Sequence, residues 1–116
     1  MTKALYFDKV QIWIGKTKKN KRLIEAFLAI EGEGEAKRFL RDLMTEGEIE
    51  EFGKRLTAAE MLCKKESYSM IKKETGFSST TIARVSKWLN GSEGGYISII
   101  NKLHHHDPIQ PRRGSV

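Results

Sequence analysis

Apolar residues recur along this chain in short blocks at helical spacing, each block ended by glycine or clustered charge. Leu23, Ile24, Phe27, Leu28 and Ile30 share one face of a 3.6-residue period and predict a helix over Lys21–Ile30. Glu31-Gly32-Glu33-Gly34 predicts a turn, and Glu35–Leu43 a second short helix with Phe39, Leu40 and Leu43 inward. Thr45-Glu46-Gly47-Glu48 has the form of a capping box, with Met44 and Ile49 placed for a hydrophobic staple. The helix it opens is predicted to reach about Lys65, with a stripe of Ile49, Phe52, Leu56, Ala59, Leu62 and Cys63. Tyr96, Ile99, Ile100 and Leu103 form one face of a last short helix. Leu5–Ile14 has mixed spacing and reads as a helix or an extended arm, followed by a basic break at Gly15–Asn20. The expected class is all-α. The expected layout is an N-terminal arm or short helix over 1–20, one helical domain over 21–103 and a disordered tail over 104–116.

Ser67–Leu89 carries the most specific local pattern, a helix, a sharp turn and a second helix. Gly76 stands where the first helix must stop and φ > 0 is favoured. Ser78 then offers an oxygen to the orphan N–H groups of the next helix. Ile71, Phe77, Ile82, Val85 and Leu89 supply the apolar contacts that fix the two helices at an angle. The opposite face is small, polar and basic, with Ser79, Thr80, Ala83, Arg84 and Lys87. Small side chains let a helix enter the major groove, where hydroxyls and cations meet base edges and phosphates. A plain αα-hairpin in a helical core would show the same apolar spacing. The turn chemistry together with the small basic face favours a helix-turn-helix DNA reader. Its predicted contacts are Lys72, Lys73, Ser78, Ser79, Thr80, Thr81, Ala83, Arg84 and Lys87, with Lys72 tilted outward toward phosphate.

Charge adds a direction to that pattern. The net charge is +6 and the isoelectric point about 9.5, which suits an anionic partner. Glu31–Glu51 holds eight acidic residues against Lys37, Arg38 and Arg41, a balance of −5. Lys64–Lys87 holds six basic residues against Glu66 and Glu74, a balance of +4. Double-stranded DNA would approach the second segment and be repelled by the first. A membrane surface would also attract the net charge, but no apolar run is long enough to span a bilayer. Met1–Ile14 is interrupted by Asp8 and Lys9 and makes a poor signal peptide. Cys63 is the single cysteine, so no internal disulfide forms, and a cytoplasmic setting is expected.

Little else in the chain carries chemistry. Cys63 lies on an apolar stripe and reads as a core residue. Asn90-Gly91-Ser92-Glu93-Gly94-Gly95 is glycine-rich, but no Gly-Lys-Ser/Thr follows it, so it reads as a helix cap and turn. His104, His105 and His106 are adjacent in a tail and cannot easily converge on one metal. No paired carboxylates or nucleophile and base stand out, and no enzyme is expected. The alternative to a DNA-binding regulator is a non-enzymatic interaction or assembly module built on the same helical pair. Protein interfaces centre on aromatic and aliphatic anchors, which the Ser79/Thr80/Lys87 face lacks.

From Leu43 to Leu103 the chain resembles the Trp repressor superfamily, most closely its YerC/YecD branch of bacterial regulators. The resemblance is carried by Leu43-Met44-Thr45-Glu46-Gly47-Glu48-Ile49-Glu50, by Arg55-Leu56, and by Glu74-Thr75-Gly76-Phe77-Ser78-Ser79-Thr80-Thr81-Ile82-Ala83-Arg84-Val85. Asn90-Gly91 and Gly94-Gly95-Tyr96 complete it, so it covers about half the chain at motif level. It implies an all-α, intertwined homodimer that presents two helix-turn-helix units to operator DNA, and a transcriptional regulator acting as a repressor. In the repressor itself tryptophan wedges against the reading head, and Thr45, Arg55 and Arg84 match the polar residues that hold it. The family pocket needs very small residues on the recognition helix, where this chain has Val85 and Trp88. These two form an i,i+3 apolar pair able to point back toward the Thr45–Lys65 helix. No cofactor is expected, L-tryptophan included. The family's base-reaching arginine on the first helix is also missing, with Ser69 or Met70 near that place.

Overall fold

The computed structural model describes residues 16–105, and every regular element among them is a helix. In chain order these are α1 (Lys18–Ala29), α2 (Gly32–Leu43), α3 (Glu46–Cys63), α4 (Tyr68–Thr75), α5 (Ser79–Leu89) and α6 (Gly95–His105). The chain divides into two compact units, Met1–Glu51 and Phe52–Val116, so the α3 helix begins in one and ends in the other. The arm at Leu5–Ile14 and the tail from His106 onward lie outside the described residues.

In the first unit, α1 starts at Lys18, earlier than apolar periodicity predicts. The Thr17 hydroxyl accepts the Asn20 N–H at 3.0 Å, which caps the helix and lets lysines fill its first turn. The predicted turn at Glu31–Gly34 is shorter than expected. The α2 helix already begins at Gly32, which takes φ +85, and the Glu35 carboxylate accepts the Glu31 N–H at 2.7 Å. Phe27 of α1 meets Phe39 of α2 edge to face, with ring centroids 5.9 Å apart. Neither helix buries a residue fully. The capping box before α3 forms in both directions. Thr45 Oγ1 accepts the Glu48 N–H at 3.1 Å, and the Glu48 carboxylate accepts the Thr45 N–H at 2.9 Å.

The second unit holds the core, made of Ala58, Ala59, Ile71, Ile82, Val85, Leu89 and Ile100. The two alanines on α3 are wholly buried, and their small size lets helices approach closely there. Leu56, Met61, Leu62, Cys63, Phe77 and Tyr96 pack around this cluster, partly exposed. The predicted α3 stripe differs from the observed one at two positions. Phe52 is exposed, and Ala58, absent from the stripe, is buried. On α6 only Ile100 of the predicted face is fully buried; Tyr96 is half-buried while Ile99 and Leu103 are exposed. The α3 helix ends at Cys63, before the expected Lys65. The Lys65 and Glu66 N–H groups bond back to the Leu62 and Met61 carbonyls, and Lys65 takes φ +65. The α6 helix runs through His104 and His105, so these two are helical and do not begin a tail.

Candidate nucleic-acid interface

Ser67, Thr75, Gly76 and Ser78 fix the ends of α4, the turn after it and the start of α5. Ser67 opens α4 by accepting the Met70 N–H at 3.1 Å. Gly76 ends it in the left-handed conformation, φ 79 and ψ 2, with its N–H on the Lys72 carbonyl at 2.8 Å. Thr75 is buried and uses its hydroxyl twice, donating to the Ile71 carbonyl at 2.7 Å and accepting the Phe77 N–H at 3.1 Å. That pair of bonds satisfies a polar group in the core and ties the turn to the helix before it. Ser78 then caps α5, accepting the Thr81 N–H at 3.2 Å, with the two hydroxyls also 3.2 Å apart. At the other end the Asn90 amide donates to the Ser86 carbonyl at 2.9 Å.

The α5 helix is thereby divided into two faces. Ile82 and Val85 are fully buried and Leu89 nearly so, against the rest of the core. Ser79, Thr80, Ala83, Arg84 and Lys87 are all exposed. On an α-helix these five positions fall on the side away from Ile82, Val85 and Leu89. Ser78 is exposed and Thr81 partly buried, and their hydroxyls serve the cap as described. Lys72 and Lys73 are exposed in the last turn of α4, where cations are also favoured by the helix dipole.

The residues matching a ligand site are placed differently from one another. Thr45 lies in the first unit and is engaged as the α3 cap. Arg55 lies on α3 and Arg84 on the exposed side of α5, both in the second unit. Val85 and Trp88 do not act as one apolar pair. Val85 enters the core, whereas Trp88 is 46% exposed and lies against Arg55, whose guanidinium carbon is 5.5 Å from the indole ring. The same guanidinium is 5.2 Å from the Phe52 ring centroid. Burial pushes the Tyr96 phenol above its ordinary range, and the nearby Arg55 charge partly opposes that shift. Arg55 thus connects residues of α3, α5 and α6. Periodicity has no means of finding that cluster, because a cation at an apolar crossing breaks the pattern it reads. Thr75 was also missed as a site-building residue, since a helix-terminal threonine reads as solvated.

Among the described residues, no group of His, Cys, Asp and Glu is arranged to hold a metal ion, and no helix is long and apolar enough to cross a membrane.

Comparison with known proteins extends the motif-level likeness across nearly all the described helices. The family profile described as Trp repressor protein matches residues 18–104. An uncharacterized protein, YerC of Bacillus subtilis, is 34% identical over 82 residues, which are 71% of this chain and 79% of that one. A solved TrpR-like protein from Eubacterium eligens superposes with a TM-score of 0.71 at 35% identity, over 76% of this chain and 91% of its own. A candidate Trp repressor from Staphylococcus aureus gives 0.73 at 31% identity, over 80% and 93%. With an all-α fold, a capped helix-turn-helix and this match from 18 to 104, the chain belongs to the Trp repressor family.

Proposed function

We propose that this protein is a sequence-specific DNA-binding transcriptional regulator, a repressor that acts as a homodimer on double-stranded DNA in the cytoplasm. The observation that carries the reading is the division of α5. One side is locked into the core by Ile82, Val85 and Leu89, and the other exposes Ser79, Thr80, Ala83, Arg84 and Lys87. A rigid helix with a small, polar, cationic outer face suits the major groove. Lys72 and Lys73 on α4 supply phosphate contacts beside it. Family membership supports the same role.

The homodimer reading rests on apolar surface that a single chain leaves uncovered. Leu23, Ile24 and Phe27 are each at least 40% exposed and Leu28 is 80% exposed, all on α1. Ile97, Ile99 and Leu103 on α6 are also open to solvent. A second copy would cover such surface and set two reading helices about one DNA turn, roughly 34 Å, apart. Tryptophan is not required in this scheme. Trp88 already lies on Arg55 and Thr45 already caps α3, so two of the three residues matching a ligand site have other work.

Binding sites selected from a random duplex pool test the reading. Thr80→Ala should change the preferred base at one position of the site, by about 1–3 kcal/mol. Lys73→Ala should weaken all sequences alike and lower the salt slope by about one unit per lost contact. A Thr80→Ala protein that selected the same sequence as the wild type would remove α5 from the base edges.

A further inference from the structure

We infer that Arg55 and Trp88 form a strut that sets the angle of the reading helix, which makes both of them positioning residues for DNA recognition. The inference deepens the proposed function and rests on it. Trp88 is the only aromatic residue on α5, and helical geometry puts it at the edge of the outer face, one turn beyond Arg84. At 46% exposure the indole is only partly taken up by apolar packing, which leaves ring surface for a lateral contact. The Arg55 guanidinium makes that contact, 5.5 Å from the ring. Arg55 is itself held from its own helix by the Phe52 ring at 5.2 Å, and it acts electrostatically on Tyr96 at the start of α6. A planar cation can stack on an aromatic face while its edge N–H groups remain able to bond elsewhere. The core already presses the inner side of α5 inward through Ile82, Val85 and Leu89. Those buried contacts hold α5 along its inner side. A lateral stack on α3 adds a second restraint at the edge of the outer face, where it resists rotation about the helix axis. Rotation that parted Trp88 from Arg55 would also turn Thr80, Arg84 and Lys87 away from their line, so the stack governs selectivity more than attraction.

The test separates the strut from the DNA role. Trp13→Phe leaves Trp88 as the only tryptophan, and in that background Arg55→Gln should shift the Trp88 emission spectrum. With sites selected by the wild type, Trp88→Ala should lose about five- to tenfold in affinity while random duplex changes less than about twofold, in line with the strength of a half-exposed cation–π contact. Trp88→Phe, which keeps an aromatic face for Arg55, should recover most of that loss. Circular dichroism on each variant identifies any that fails to fold, and the Trp88→Phe comparison then carries the decision. An emission spectrum indifferent to Arg55→Gln would overturn the strut whether or not the protein binds DNA. Equal losses on selected and random duplex, or no rescue by Trp88→Phe, would overturn its positioning role. A wild-type protein that bound no duplex would remove the reading beneath that role, and the emission result would still decide whether the stack exists.

Discussion

Leu28→Asp is expected to convert the proposed homodimer into monomers at low micromolar concentration. Leu28 is 80% exposed in the single chain, so it contributes almost nothing to the fold of one copy. In a two-fold symmetric pair any loss at this position occurs twice. Burying a leucine is worth about 1.5–3 kcal/mol, so the pair loses about 3–6 kcal/mol, or roughly two to four powers of ten in Kd. The buried charge adds to that. Light scattering reads the mass directly, and operator affinity should fall with it, because one helix-turn-helix alone forfeits the second half-site. A wild-type protein that is already monomeric would overturn the homodimer reading, and a variant that stays dimeric would place the partner surface away from this part of α1.

Ile82→Ala should produce the largest loss of stability among single changes on α5, about 2–5 kcal/mol. The side chain has no exposure and lies in the cluster shared with Ala58, Ala59, Ile71 and Ile100. Two positions earlier on the same helix, Thr80→Ala should change stability by no more than about 0.5 kcal/mol, since its site faces solvent. Urea midpoints for the two variants check the pair together. Comparable losses would mean that the outer face of α5 is not free.

The parts of this molecule that were legible in the sequence are those fixed by local chemistry. Gly76 takes the positive φ its place requires, Ser78 caps α5, and Thr45 and Glu48 exchange the two bonds of a capping box. These need only neighbours within four residues. Helix starts were less legible where the signal was not apolar. Lysines open α1 behind the Thr17 cap, and Gly32 begins α2 within a stretch that composition assigns to a turn. Long-range competition was least legible. An i,i+3 pattern treats Val85 and Trp88 alike, yet the core takes Val85 whole while a cation on α3 holds Trp88 at the rim. The α1 pattern puts Leu23, Ile24, Phe27, Leu28 and Ile30 on one face, but Ile30 is the extended residue after the helix, the other four are exposed in the single chain, and periodicity does not say what covers them.

The outer face of α5, with the α4 lysines beside it, is expected to bind duplex DNA. The decisive measurement is a titration of the wild-type protein against a random duplex over a range of salt, with no tryptophan added. Binding should occur without tryptophan, with a linear fall of log K with log salt at a slope of about −0.9 per phosphate contact. Affinity indifferent to salt, or binding that appears only once L-tryptophan is supplied, would contradict it.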